Sequence, residues 1–199
     1  TFAKAMKSVD PNIKIIAVGD NASTWTQSMV NACKNQMDYT SEHFYAERVE
    51  DNVKDHILSM KKQAEMRINN HRNINGIGDI KMAIDEYAYM NAEVASRMKD
   101  GMGIASGVNE MIKNGDVVSI ACYSSTVNAT QGQIITDNFA SYLEGSGYAL
   151  SLYKDNLKNH YLPIKYHLST GDEYYEAIMT INTEKNEVAL AVINTTDKI

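Results

Sequence analysis

The sequence predicts an α/β fold in which helices cover a parallel sheet and a β-rich segment follows. Four nearly continuous apolar runs alternate with amphipathic helical patterns over residues 1–122. Such runs are typical of parallel strands that are buried on both faces. Further along, two β-rich runs around a short polar turn indicate an antiparallel hairpin.

Periodicity and boundary residues define the elements in order. Asp10-Pro11 ends the first helix, because the residue before proline avoids helical backbone. Ser23 or Thr24 can begin the second helix, and Asn114-Gly115 ends the fourth. The predicted strands cover 13–19, 38–45, 80–87 and 117–122, and the predicted helices cover 1–9, 23–37, 53–68 and 94–112.

This βαβαβαβ order suits a doubly wound sheet or half of an eight-stranded barrel. No glycine-rich phosphate-binding motif follows a strand, which argues against a nucleotide-binding sheet. After Asn128 a helical stretch over 139–159 precedes the hairpin of 174–181 and 188–193. A hairpin alone is only marginally stable, so we expect the chain to enter a second, all-β domain.

Composition excludes several classes of function. The 199 residues are 44% hydrophobic and carry a formal net charge of -6, with Lys and Arg scattered among acids. A nucleic-acid partner is therefore not expected. No apolar run is long enough to cross a bilayer, so no membrane partner is expected either. No leader is visible at the start of the chain, which favours the cytoplasm over secretion and otherwise leaves localisation open.

Metal and cofactor sites are not expected. Cys33 and Cys122 have no CxxC spacing and are predicted to be buried free thiols. The five histidines show no metal-ligand spacing on a shared helix face.

The run over 80–87 ends abruptly in Asp85 and Glu86. At the C-terminal end of a barrel strand, a carboxylate is aimed at the active site, so Glu86 is a candidate acid, base or nucleophile. The alternative is that the pair caps the next helix or lies in water. Neighbouring residues on a strand point to opposite faces, so we expect Asp85 to turn toward the helix layer and Glu86 toward the interior.

A second strand ends in functional groups. Alternation places Tyr39, Ser41, His43 and Tyr45 on one face of the strand over 38–45. A His and a Tyr two residues apart at the mouth of a barrel could bind a hydroxylated ligand, although a single His is more often structural.

Taken together, four segments resemble the second half of the family 51 α-L-arabinofuranosidases. The resemblance extends over nearly the whole chain, in the order of 5–11, 38–45, 84–87 and 120–128. It implies strands five to eight of a (β/α)8 TIM barrel over residues 1–160 and the beginning of a β-sandwich domain over 161–199. It also implies that Glu86 is the catalytic nucleophile and that His43 and Tyr45 bind the substrate, an arabinose-containing carbohydrate, with no cofactor. A homo-oligomeric full-length protein remains open.

Several positions depart from the family pattern. Tyr87 replaces the usual Trp, Met90 stands where a second aromatic is common, Glu42 replaces an apolar residue and Ser125 replaces Gln. The family's acid/base is a Glu in an Asn-Glu pair after strand four, which we expect upstream of Thr1. The pair Asn109-Glu110 falls in a predicted helix and is not expected to fill that role.

The resemblance therefore predicts a retaining glycosidase present as a fragment that is inactive alone. Two alternatives stay open: a related barrel hydrolase acting on another sugar, and a degenerate, non-catalytic carbohydrate-binding barrel. An Asn-Glu pair upstream would distinguish an enzyme from a binder.

Overall fold

A computed structural model of the chain describes residues 2–90, 96–129, 131–167 and 174–196. Its helices are α1 (Phe2–Val9), α2 (Trp25–Cys33), α3 (Val53–Arg72), α4 (Met98–Lys113) and α5 (Gly145–Asn156). Its strands are β1 (Ile16–Ala17), β2 (Tyr39–Ala46), β3 (Lys81–Tyr89), β4 (Val118–Tyr123), β5 (Ile134–Thr136), β6 (Ser141–Leu143), β7 (His160–Leu162), β8 (Tyr175–Asn182) and β9 (Glu187–Asn194).

The predicted α/β fold with a parallel sheet is confirmed. Within the described residues, β1 to β4 form one sheet in chain order, and both β1–β2 and β3–β4 pair in parallel. Helices α2, α3 and α4 occupy the connections between these strands. The predicted C-terminal hairpin is also present, because β8 pairs antiparallel with β9 along its whole length.

Strand β1 is much shorter than the predicted 13–19. The backbone amide of Asp20 donates to the Thr26 hydroxyl at 2.7 Å, and that of Asn21 donates to the Glu42 carboxylate at 2.9 Å. At the other end, the Ile15 amide donates to the Asp38 carboxylate at 2.9 Å. Within the predicted range, the Asp38 side chain therefore takes the Ile15 donor, and just beyond it the Thr26 and Glu42 side chains hold the chain in a different conformation.

The stretch predicted as a helix over 139–159 begins instead with a turn and a short strand. The Asp137 carboxylate accepts hydrogen bonds from the amides of Phe139 and Ala140 at 2.7 and 2.8 Å, which holds the chain in a tight turn. Strand β6 pairs antiparallel with β5 after this turn, and α5 begins only at Gly145. Strand β7, which pairs with β8, was also not predicted.

The described residues divide into two compact units. The first takes in the ranges 1–44, 65–87 and 114–123, and the second takes in 45–64, 88–113 and 124–199. The predicted domain boundary at residue 160 stays a prediction.

In the first unit, a buried carboxylate ties the start of α2 to β2. The Glu42 side chain is 0% exposed, and both of its oxygens accept from the Asn21 amide, at 2.9 and 3.1 Å. The Thr26 hydroxyl lies 3.3 Å away and the Arg67 guanidinium 3.6 Å away. Burial raises the pKa of Glu42 to about 6, because these partners only partly offset desolvation. Gly19 lies so close to the Ser41 carbonyl that a Cβ would collide with it.

In the second unit, a buried ionic cluster joins α3 to the start of α4. The Asp100 carboxylate lies 2.8 Å from His56 Nε2 and 3.3 Å from the Arg48 guanidinium, and it accepts from the Arg97 amide at 2.6 Å. Burial alone would raise the pKa of Asp100, but the His56 and Arg97 hydrogen bonds and the Arg48 charge outweigh it and lower that pKa. The Val49 amide donates to His56 Nδ1, so the imidazole proton is on Nε2, facing Asp100.

A second polar pair connects α4 to the C-terminal sheet. The Ser106 hydroxyl donates to the buried Glu176 carboxylate on β8, and Lys61 lies 2.9 Å from the same carboxylate. Beside this pair, Ile57, Ala105 and Ile193 form an apolar cluster. The β8–β9 hairpin is therefore held to the helices by both apolar packing and buried hydrogen bonds.

The environment of Glu42 makes stability depend on pH. Its pKa is raised to about 6, so the folded state holds its proton more tightly than the unfolded state. This contribution is full below pH ~4.5 and falls by about 2 kcal/mol as the pH rises through ~6. In Glu42→Gln, which cannot ionise, we expect that part of the slope to disappear. The measurement is the difference in unfolding free energy between wild type and variant from pH 4 to 7; a constant difference would contradict the assignment.

Candidate active site

The functional groups predicted on β2 and β3 meet in the first unit. His43 Nδ1 lies 3.7 Å from Glu86 Oε2, and His43 Nε2 lies 3.3 Å from Asp85 Oδ1. The Ser41 hydroxyl donates to the same Asp85 oxygen at 2.6 Å. One imidazole therefore lies between two carboxylates of the neighbouring strand. The strands do not end at these residues as predicted, because three residues follow His43 in β2 and three follow Glu86 in β3.

The expectation that Asp85 turns toward the helix layer is wrong. Opposite β4, Ile84 pairs with Ala121 and Tyr87 pairs with Tyr123, so three steps along β3 match two steps along β4. Such a bulge inserts an extra residue and breaks the alternation of side chains. Asp85 and Glu86 consequently approach the same His43 ring, and side-chain parity does not distinguish their roles.

All three ionisable groups are accessible from solvent. The exposed fractions of the His43, Asp85 and Glu86 side chains are 52%, 37% and 34%. By contrast, Ser41 is buried, so the Asp85 carboxylate has one anchored oxygen at the edge of the site. The Glu86 carboxylate and the His43 imidazole can therefore contact a ligand, while Asp85 is fixed by its hydrogen bond to Ser41.

Tyr45, the other predicted substrate contact, lies near the end of β2 and is 39% exposed. It belongs to the second unit, so its proximity to Glu86 stays a prediction.

An aromatic cluster underlies the end of β3. Tyr87 is 2% exposed, stacks on Phe44 with ring centroids 5.8 Å apart, and meets the Tyr123 ring edge-on at 5.6 Å. Burial raises the pKa of the Tyr87 phenol, so this side chain is neutral. Tyr87 is therefore a packing residue in this structure.

The sequence placed Ser41 on the face of His43 without giving it a role in the site, and it directed Asp85 away from the site. Ser41 shares a strand face with His43, so alternation alone could have brought it into the site. The position of Asp85 depends on the bulge, for which 80–87 carries no glycine signal.

Other sequence predictions have mixed outcomes. Cys33 and Cys122 are free thiols, as predicted, but Cys122 is exposed and Cys33 only partly buried, so the prediction that both are buried is wrong. Asn109 and Glu110 lie on α4, as predicted, and the Asn109 side chain accepts a hydrogen bond from Tyr153.

Across the described ranges, no group of three or more His, Cys, Asp or Glu side chains could hold a metal ion. In that same part of the chain, no helix has the length and apolar character needed to cross a membrane.

Comparison with known structures shows what the fold is similar to. A structure of α-L-arabinofuranosidase from Thermotoga maritima in an arabinose complex superposes with a TM-score of 0.76 at 20% identity, covering 97% of this chain and 45% of that one. The family 51 enzyme from Thermotoga petrophila RKU-1 gives 0.79 at 20% identity, again covering 97% and 45%. A family 39 β-xylosidase from Caulobacter crescentus gives 0.54 at 13% identity, covering 92% and 39%.

The chain thus spans less than half the length of these enzymes. A search of curated proteins finds no match in sequence. The family model described as the α-L-arabinofuranosidase C-terminal domain matches residues 85–197, which is more than half of the chain. The chain therefore belongs to the α-L-arabinofuranosidase C-terminal-domain family.

Proposed function

We propose that this chain is part of a retaining glycosidase that releases terminal α-L-arabinofuranosyl residues from arabinose-containing polysaccharides or oligosaccharides. Family membership supports the reaction class, and one structural neighbour was solved as an arabinose complex. The observation that carries the proposal is the approach of His43 to Glu86, 3.7 Å apart in the C-terminal halves of β2 and β3.

In this proposal, β1 to β4 are strands five to eight of an eight-stranded barrel, and residues 161–199 begin a β-sandwich. The superposition of nearly the whole chain on 45% of the Thermotoga enzymes supports this division. In such barrels the active site is built toward the C-terminal ends of the strands, and the position of Glu86 and His43 in the C-terminal halves of β3 and β2 supports the same location here.

Glu86 acts as the nucleophile. Its carboxylate attacks the anomeric carbon, the glycosidic bond breaks, and a second carboxyl group ~5 Å away protonates the leaving oxygen. The glycosyl ester on Glu86 is then hydrolysed by water, whose proton returns to that second group. The free sugar leaves and the Glu86 carboxylate is restored. The second carboxyl group is supplied by a part of the enzyme outside this chain.

His43 and Tyr45 bind the sugar beside Glu86. An imidazole N–H donated to the Glu86 carboxylate would orient the attacking oxygen, and both side chains can hydrogen-bond to sugar hydroxyls. No cofactor takes part.

A second candidate is a related barrel glycosidase of other sugar specificity. Two observations support this candidate: the fold is similar to that of a β-xylosidase, and the buried Tyr87 replaces the Trp expected from the resemblance. A panel of aryl glycosides that includes α-L-arabinofuranoside and β-D-xyloside would separate the two candidates by their kcat/KM values.

We predict that Glu86→Ala in the complete enzyme abolishes hydrolysis of an aryl α-L-arabinofuranoside, because the covalent route needs the carboxylate. Added azide should restore part of the turnover and yield the inverted glycosyl azide, detected by NMR. Glu110→Ala on α4 is the matched control and should keep wild-type kinetics. Near-normal turnover of Glu86→Ala would remove Glu86 from the nucleophile's role.

We also predict that the 199-residue chain alone is inactive and self-associates. In this proposal it lacks the second carboxyl group, and half a barrel leaves strand edges unpaired. Activity assays and size-exclusion chromatography, with the complete enzyme as the control, measure both effects. A monomeric, cooperatively folding and active chain would refute the fragment proposal.

A further inference from the structure

Asp85 has two contacts that the proposed reaction does not use. One of its oxygens, Oδ1, accepts the Ser41 hydroxyl at 2.6 Å and lies 3.3 Å from His43 Nε2. Ser41 is buried whereas Asp85 is partly exposed. The Ser41 hydrogen bond thus fixes the same carboxylate oxygen that faces the imidazole.

We propose that Asp85 is a positioning residue that acts through His43 on the nucleophile Glu86, with Ser41 as its anchor. The inference rests on the proposed function, since it assigns Glu86 the attacking carboxylate. The geometry behind it is the series Ser41 hydroxyl, Asp85 carboxylate, His43 imidazole and Glu86 carboxylate, which joins two strands.

His43 needs such a partner because packing does not immobilise it. Its side chain is 52% exposed, and the ring torsion of histidine has broad, roughly two-fold minima. A ring flip would exchange the nitrogen and carbon positions that face Glu86. The Asp85 carboxylate prefers an N–H donor, so pairing with Nε2 selects the orientation in which Nδ1 faces Glu86.

The same pairing assigns the imidazole protons. A carboxylate accepts but cannot donate, so the nitrogen facing Asp85 carries a proton. When Nδ1 is protonated as well, the positive charge of the ring attracts the Glu86 carboxylate 3.7 Å away and favours one position of the attacking oxygen. The charged groups that face His43 in the described part of the first unit are Asp85 and Glu86, both from β3.

A double-mutant cycle in the complete enzyme tests this role. Asp85→Ala should lower kcat by about 10- to 100-fold with little change in KM, and Asp85→Asn, which keeps an acceptor oxygen, should lose less. If Asp85 works only through His43, the Asp85→Ala/His43→Ala double variant will be no slower than His43→Ala. Asp116→Asn is the control, because that carboxylate pairs with Arg72 away from His43 and should not affect kcat.

The outcomes separate this inference from the function it rests on. The positioning role is overturned if the kcat losses of the two single variants multiply in the double variant, or if Asp85→Ala keeps the wild-type kcat. Either result leaves Glu86 as the nucleophile. An inactive Asp85→Ala variant that azide rescues, together with an active Glu86→Ala variant, overturns both the positioning role and the assignment of Glu86 as nucleophile.

If the enzyme hydrolyses no glycoside, the protonation of the His43 ring is measured directly. Nitrogen-15 NMR of labelled histidine should show a protonated Nε2 for His43, and Asp85→Ala should remove or shift that signal. An unchanged signal would refute the pairing.

Discussion

The structure around the candidate site depends on the side-by-side pairing of β2 with β3. The two strands are neighbours in the sheet, and the Met90 amide donates to the Ala46 carbonyl at 2.8 Å where they end. Their last residues therefore reach the same edge, which is the condition for a shared site in an α/β fold. Without that pairing, His43 and the two carboxylates would belong to separate surfaces.

Strand β2 serves two purposes because its side chains alternate. Ser41 and His43 contribute to the site, whereas Glu42 between them is buried against Asn21 and Arg67. Each Glu42 oxygen accepts a hydrogen bond from the Asn21 amide, so the connection after β1 is fixed to the strand that carries His43. A buried carboxylate is costly to desolvate, and only a set of hydrogen bonds makes it tolerable. This explains how an acid can replace an apolar residue beside the site.

Strand β3 departs from alternation, and the departure has a chemical consequence. The bulge between Ile84 and Tyr87 brings Asp85 and Glu86 to one imidazole. Two adjacent carboxylates on an unbroken strand would face opposite sides. Because both reach His43, one is available for chemistry while the other, bonded to Ser41, is available for positioning. In the second unit, buried carboxylates have purely structural partners: Asp100 bonds to His56, and Glu176 bonds to Ser106.

Local sequence was sufficient for the alternation of helices and strands, the C-terminal hairpin and the candidate residues Glu86 and His43. These follow from apolar periodicity, from turn residues and from polar groups at strand ends, all of which act within a few residues. The ordered motifs were also enough to identify the family. What tertiary structure decided was the shortened β1, the turn at Asp137, and above all the common orientation of Asp85 and Glu86. A bulge is set by the register between two strands more than 30 residues apart, and that register has no signature in the eight residues of 80–87.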